Sequence, residues 1–80
     1  MEWQEFLDRY VNNHEEFVFK YKDIKIELLY APKGDGFSVY LVKNKKVIDE
    51  KIYSLPQKLL SDFKINGKLI IDIWDDLEWK

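Results

Sequence analysis

Apolar residues follow two different periods along the chain. Over residues 2–12, Trp3, Phe6, Leu7, Tyr10 and Val11 recur at i, i+3, i+4, i+7 and i+8, the spacing of one face of an α-helix. Glu2 and Glu5 sit near the positive end of the helix dipole. Glu5 and Arg9 make an i,i+4 pair. Asn12 and Asn13 supply a stop, because Asn tolerates the left-handed conformation. The polar side is acidic, unlike a membrane-surface helix, so the stripe belongs to the core.

From residue 16 the period drops to two. Phe17, Phe19 and Tyr21 alternate with polar or smaller residues, and Ile24, Ile26, Leu28 and Tyr30 continue the rule after Lys22-Asp23. A two-residue turn there pairs Tyr21 with Ile24, Phe19 with Ile26 and Phe17 with Leu28, all on one face. Lys20 and Lys25 then face each other on the other side. The run "APKGDG" at 31–36 reads as a loop. Phe37–Val42 form a third strand and Val47–Tyr53 a fourth, whose adjacent Val47 and Ile48 leave its register open and suggest a bulge.

The C-terminal third returns to helix. Ser54 is the predicted N-cap, with Gln57 completing a capping box and Pro56 in the first turn. Leu55, Leu59, Leu60 and Phe63 form the apolar side, and Asn66-Gly67 ends the helix or turns the chain. The last segment fits both periods. As a helix from about 68 to 77, it aligns Leu69, Ile70, Ile73, Trp74 and Leu77. As a fifth strand, it aligns Leu69, Ile71, Ile73, Leu77 and Trp79, with Asp75 as a violation. We favour the helix, which hides Trp74 and frees Asp72, Asp75 and Asp76 together. The expectation is a single α+β domain over residues 1–80: an N-terminal helix, a four-stranded antiparallel sheet of two hairpins, then one or two C-terminal helices.

The run "FKINGKLIIDIWDDLEW", preceded by an aromatic hairpin and "SLPQKLL", resembles small proteins of Gram-positive bacteria and their phages that end in a Gly-Lys and then an Ile-Trp-Asp-Asp segment. That resemblance covers the C-terminal quarter best and carries no catalytic residues. It implies a mobile-element accessory protein.

Composition acts mainly by exclusion. Hydrophobic residues are 46% and aromatics 16% of the chain, above a disordered profile. There is no cysteine, so neither a disulfide framework nor a thiolate metal site. The start "MEWQEFLDRY" lacks the basic stretch and apolar run of a signal peptide, and no window approaches the roughly 20 apolar residues of a membrane span. A soluble, cytoplasmic protein is expected. The net charge is −2 but uneven. Residues 1–16 and the C-terminal stretch are acidic, whereas 17–51 are rich in lysine.

Candidate chemistry is sparse. His14 is the sole histidine and lies in an expected loop. None of Ser38, Ser54 and Ser61 sits in a Gly-x-Ser-x-Gly elbow. "KGDG" leads into a strand and lacks the Gly-Lys-Ser/Thr ending of a phosphate loop, and the helix start at Gly67-Lys68 is too general a feature to name an anion site. Asp72, Asp75 and Asp76 on one helical side offer too few ligands for calcium and too little burial for acid–base work. No enzyme activity, cofactor or metal is expected.

Interaction fits better. Acids in the last helical turn oppose the dipole, so either Lys80 or a hairpin lysine neutralises them or a cationic partner does. With the rings of the first hairpin facing the core, Val18, Leu29, Tyr40 and Val42 face away, beside Ser38. An apolar strip on the back of an antiparallel sheet needs a cover; a helix is the first choice and a second chain the next. The expected partner is a protein with a basic surface, met by Asp72, Asp75, Asp76, Glu78, Trp79, Tyr40, Val18, Leu29 and Val42 in the manner of an inhibitor or immunity protein, with the chain itself a monomer or weak homodimer. The alternative is nucleic-acid binding through Lys20, Lys22, Lys25, Lys43, Lys45 and Lys46 beside Tyr40.

Overall fold

A computed structural model describes residues 1–30 and 36–79. The loop expected over 31–36 therefore lies outside the described residues except for Gly36, and so does Lys80. The chain is α+β: an N-terminal helix, an antiparallel five-stranded sheet, and helical segments after the fourth strand. Helix α1 (Trp3–Leu7) runs into a π-helical stretch, Asp8–Asn12. Strands β1 (Phe17–Tyr21), β2 (Ile24–Tyr30), β3 (Phe37–Lys43) and β4 (Lys46–Tyr53) follow. Helix α2 (Pro56–Asp62) leads into a small hairpin of β5 (Lys64–Ile65) and β6 (Lys68–Leu69). A 3-10 helix, Ile70–Asp76, then carries the chain to β7 (Glu78–Trp79). The sheet order is β4-β3-β2-β1-β7.

The first hairpin has the pairing that alternation predicts: Phe17 with Leu28, Phe19 with Ile26 and Tyr21 with Ile24. Their shared face is the floor of the core. Phe37, Val39 and Leu41 extend it across β3. Phe6 and Tyr10 from the N-terminal helix, Leu59, Leu60 and Phe63 from the α2 region, and Ile65, Ile70 and Ile73 close it from above. The widened π turn sets Tyr10 parallel to Phe6, with ring centroids 5.4 Å apart, so both rings of the stripe point down at the sheet.

The chain departs from expectation at its helix ends and its tail. Asn13 has φ −100°, and the left-handed residue that releases the chain is His14, φ 56°. Its ring is held by stacking on Tyr30 at 5.1 Å, which offsets the strain of the conformation. Ser54 does not cap α2. Pro56 at the first helical position holds Leu55 extended, at φ −130° and ψ 139°, as a residue before proline must be. Leu55 becomes the N-cap, with no side-chain hydrogen bond, and lies exposed rather than on the apolar side. Asn66 and Gly67 turn the chain, both with positive φ.

The final segment is neither the α-helix expected over 68–77 nor a single strand. Seven residues of 3-10 helix rise about 14 Å, against about 10 Å for α. The longer reach takes the chain from the β5–β6 hairpin to the free edge of β1, where Trp79 pairs with Phe19 and Glu78 with Lys20. The 3-10 period still buries Ile70 and Ile73, because residues three apart lie in line. Trp74 donates its indole N–H to the Met1 carbonyl at 3.1 Å and packs edge-on against Trp3 at 4.9 Å.

Strand β4 lies at the other edge. Leu41 pairs with Asp49 but Val42 with Val47, so Ile48 is the extra residue of a bulge. Asp49 and Lys51 occupy positions facing the helices' side, and both are exposed. Charges on that side and a bulge both discourage pairing with another edge.

Candidate interaction surface

Every helical segment packs on the one face that carries the core, so among the described residues no element covers the other face. The expectation that a helix shields the back strip does not hold. The physical reason is supply: the buried side chains of α1, α2 and the 3-10 helix are all used in closing the single core.

The register sorts the open face into rows. One row runs Lys20, Lys25, Val42, Val47. The next runs Val18, Glu27, Tyr40, Glu50, with a glutamate on each side of the tyrosine. The third runs Leu29, Ser38, Ile52. Val18, Leu29, Tyr40 and Val42 are half-buried by their neighbours, while Val47 is 56% and Ile52 66% exposed. Ser38 is the buried polar residue of this face, hidden between Leu29 and Ile52. Val47 and Ile52 belong to the same strip. Periodicity alone missed them, because the bulge at Ile48 breaks the alternation of β4; the pairing of Tyr53 with Phe37 is the signal that orients Ile52 outward.

The three aspartate candidates fall elsewhere, whereas Glu78 extends the Lys20 row of the open face. Asp72, Asp75 and Asp76 are exposed on the 3-10 helix, in the layer opposite the open face. In a 3-10 helix Asp72 and Asp75 align whereas Asp76 follows the row of Ile70 and Ile73, so the three do not form one helical side. Asp72 is partly occupied, accepting the Leu69 backbone N–H at 3.2 Å. Glu78 is exposed and sits across the strand pair from Lys20. Trp79 is half-buried on the core side, against Phe19 at 4.9 Å and Trp74 at 4.9 Å. Neutralisation of the acids by Lys80 lies outside the described residues.

The lysine candidates gather at one end of the sheet, Lys20 and Lys25 on its open face and Lys43 and Lys46 on the side of the core. The turns at Lys22-Asp23 and Asn44-Lys45 lie at the same end of the sheet, and Lys20, Lys22, Lys25, Lys43, Lys45 and Lys46 all lie on or beside them. A depression of about 450 Å³ there is lined by Lys20, Asp23, Lys25, Val42, Asn44 and Lys45. Lys43 pairs with Asp23 at 3.3 Å, Lys25 reaches Glu27 at 3.9 Å, and Lys22 lies over the Tyr21 ring.

Elsewhere, Arg9 grips Glu15 through Nε and Nη2, the latter at 2.8 Å. The guanidinium's hydrogen bonds hold the Glu15 carboxyl below the usual glutamate range. His14 makes no hydrogen bond to a serine among the described residues; Ser61 donates to the Lys58 carbonyl. No cluster of three His, Cys, Asp or Glu able to hold a metal ion occurs among the described residues, and no helix there is long and apolar enough to cross a membrane. No family model, curated protein or solved structure matches the chain.

Proposed function

We propose that this is a non-enzymatic protein-binding domain whose contact surface is the open face of the sheet. One observation carries the reading: an apolar strip of Val18, Leu29, Tyr40, Val42, Val47 and Ile52 lies on a face that no described element covers. A face that only met water would alternate to polar residues here, and uncovered apolar strips mark contact sites. Tyr40 is the natural anchor, since tyrosine combines large contact area with a polar tip. Glu27 and Glu50 on either side of it favour a partner that presents basic residues around an apolar patch. Five strands at ~4.8 Å spacing and about six residues at ~3.4 Å give a face of roughly 24 by 20 Å, which suits a contact at the small end of specific interfaces. The protein would act by occupancy, as an inhibitor or immunity-type protein of a mobile element does, the setting that its resemblance implies. The acids of the 3-10 helix belong to a separate surface in this reading.

The test is capture of binding proteins by the wild type, by Tyr40→Ala and Ile52→Asp, and by the triple variant Asp72→Asn, Asp75→Asn, Asp76→Asn, each first shown to be folded by circular dichroism. Loss of the same captured protein with either face variant, and retention with the triple acid variant, supports the open face. The reverse pattern moves the site to the C-terminal acids.

A further inference from the structure

We propose that the depression between the two hairpin turns is a binding site for a compact phosphate anion, of the size of pyrophosphate or the phosphate tail of a nucleotide. The proposal stands on side chains at one end of the sheet and does not depend on the protein-docking reading above.

Three ammonium groups line the depression, from Lys20, Lys25 and Lys45, with the Asn44 amide beside them and Val42 as an apolar lining residue. Its one acid, Asp23, is already engaged by Lys43 at 3.3 Å, so the lining is left net positive. Lysine is a point-charge phosphate binder, and the cavity volume lies within the range of small-molecule clefts.

A second observation is independent of the cavity. Lys20 and Lys25 are direct cross-strand partners, and so are Lys43 and Lys46. Like charges directly opposite one another destabilise a sheet, yet this end holds two such pairs, Lys20–Lys25 on the open face and Lys43–Lys46 on the side of the core. The open-face pair is compensated only in part: Glu27 meets Lys25 at 3.9 Å, and Glu78 stands across from Lys20. Lys45 also occupies a left-handed position, φ 64° following Asn44 at φ 53°, where a hairpin turn normally takes glycine. Lys20 and Lys25 kept against repulsion, and Lys45 kept against backbone preference, are explained if an anion sits among these three.

The ligand is compact rather than a nucleic-acid strand. A phosphodiester backbone running from this end along the sheet would meet Glu27 and Glu50 in the next row, and those carboxylates repel it.

The experiment uses inorganic pyrophosphate on the whole protein, read by thermal melting and by amide NMR shifts, with sodium chloride at matched ionic strength as control. Pyrophosphate should raise the melting temperature beyond chloride and shift amides mainly at residues 20–25 and 42–46. Lys25→Gln should raise the stability of the anion-free protein, because it relieves the Lys20 pair, and weaken pyrophosphate binding about tenfold, the value of one charge-assisted contact. Lys45→Gln should weaken binding similarly. Three outcomes overturn the proposal: no effect beyond chloride, undiminished binding by Lys25→Gln and Lys45→Gln, or affinity for single-stranded oligonucleotides that exceeds pyrophosphate and grows with length.

Discussion

The aromatic centre of the core holds a test of how the fold is stabilised. Tyr10 is 1% exposed. Its ring stacks on Phe6 and meets Phe17 and Phe37 edge-on, at 6.4 and 5.7 Å. Its hydroxyl is buried with no hydrogen-bond partner among the described residues. Burying a hydroxyl without a partner costs about 1–3 kcal/mol. Tyr10→Phe removes that hydroxyl and keeps every ring contact, so it should stabilise the protein by roughly 1 kcal/mol or more. In a domain of this size each kcal/mol moves Tm by about 4–8 °C, a shift that melting followed by circular dichroism resolves easily. Tyr10→Ala is the opposite control. It leaves a cavity among the rings and should cost about 3–5 kcal/mol.

The same residue supplies a pH signature. Burial pushes the Tyr10 phenol well above its ordinary value of 10.0. A folded-state value raised above the unfolded one gives stability that is complete below pH 10 and declines as pH rises past it, because only the unfolded chain then releases the proton. Tyr10→Phe should flatten that decline. The reasoning is refuted if Tyr10→Phe lowers Tm, since the hydroxyl would then be making a hydrogen bond worth more than its burial costs.

Further predictions follow from single features. Glu15, held below its usual range by Arg9, contributes stability above the ordinary glutamate value that is lost as pH falls through the depressed one; Glu15→Gln should remove that part of the acid dependence in urea titrations run at several pH values. A Cβ on Gly36 would lie 2.6 Å from the Tyr53 carbonyl oxygen and 2.9 Å from Ile52 Cγ2, so Gly36→Ala should cost about 1–3 kcal/mol. Gly67→Ala meets no atom within 4 Å and bears only the left-handed conformation, about 1–2 kcal/mol; it should melt no lower than Gly36→Ala. Ile52→Asp, on a side chain 66% exposed, should leave the stability within about 0.5 kcal/mol of the wild type while altering binding.

What could be read from the sequence was whatever a local period or a two-residue turn decides. The Phe17–Leu28 hairpin register and the Phe6–Tyr10 stripe are of that kind. The features that escaped were set by neighbours. Ser54 looked like a cap, but Pro56 moves the helix start one residue on. The tail fitted both periods because it uses both: 3-10 spacing to bury Ile70 and Ile73, then extension to put Trp79 on β1. Only the unpaired edge of β1, a tertiary feature, decides that switch. The outward set on β1, β2 and β3 was legible from alternation. Its continuation at Val47 and Ile52 was not, because a one-residue bulge exchanges the faces of a strand.

The rows of the open face also explain why one small sheet can hold two separable contacts. At the turn end Lys20 and Lys25 make it basic, and at the far end Leu29 and Ile52 make it apolar, with Tyr40 between Glu27 and Glu50 across the middle. The glutamates repel an anion moving inward from the lysines and attract a basic partner seated over the tyrosine, so the same two carboxylates set the limits of both sites. Lys25 and Ile52 lie in the first and third rows, and effects of substitutions without shared partners add. Lys25→Gln should therefore weaken pyrophosphate and spare protein capture, and Ile52→Asp should do the reverse. Glu27→Gln, in the row between, should act on both at once: a weaker hold on the basic partner and a stronger one on the anion. If Glu27→Gln moves the two affinities in the same direction, the middle row is not the electrostatic boundary that its charges imply.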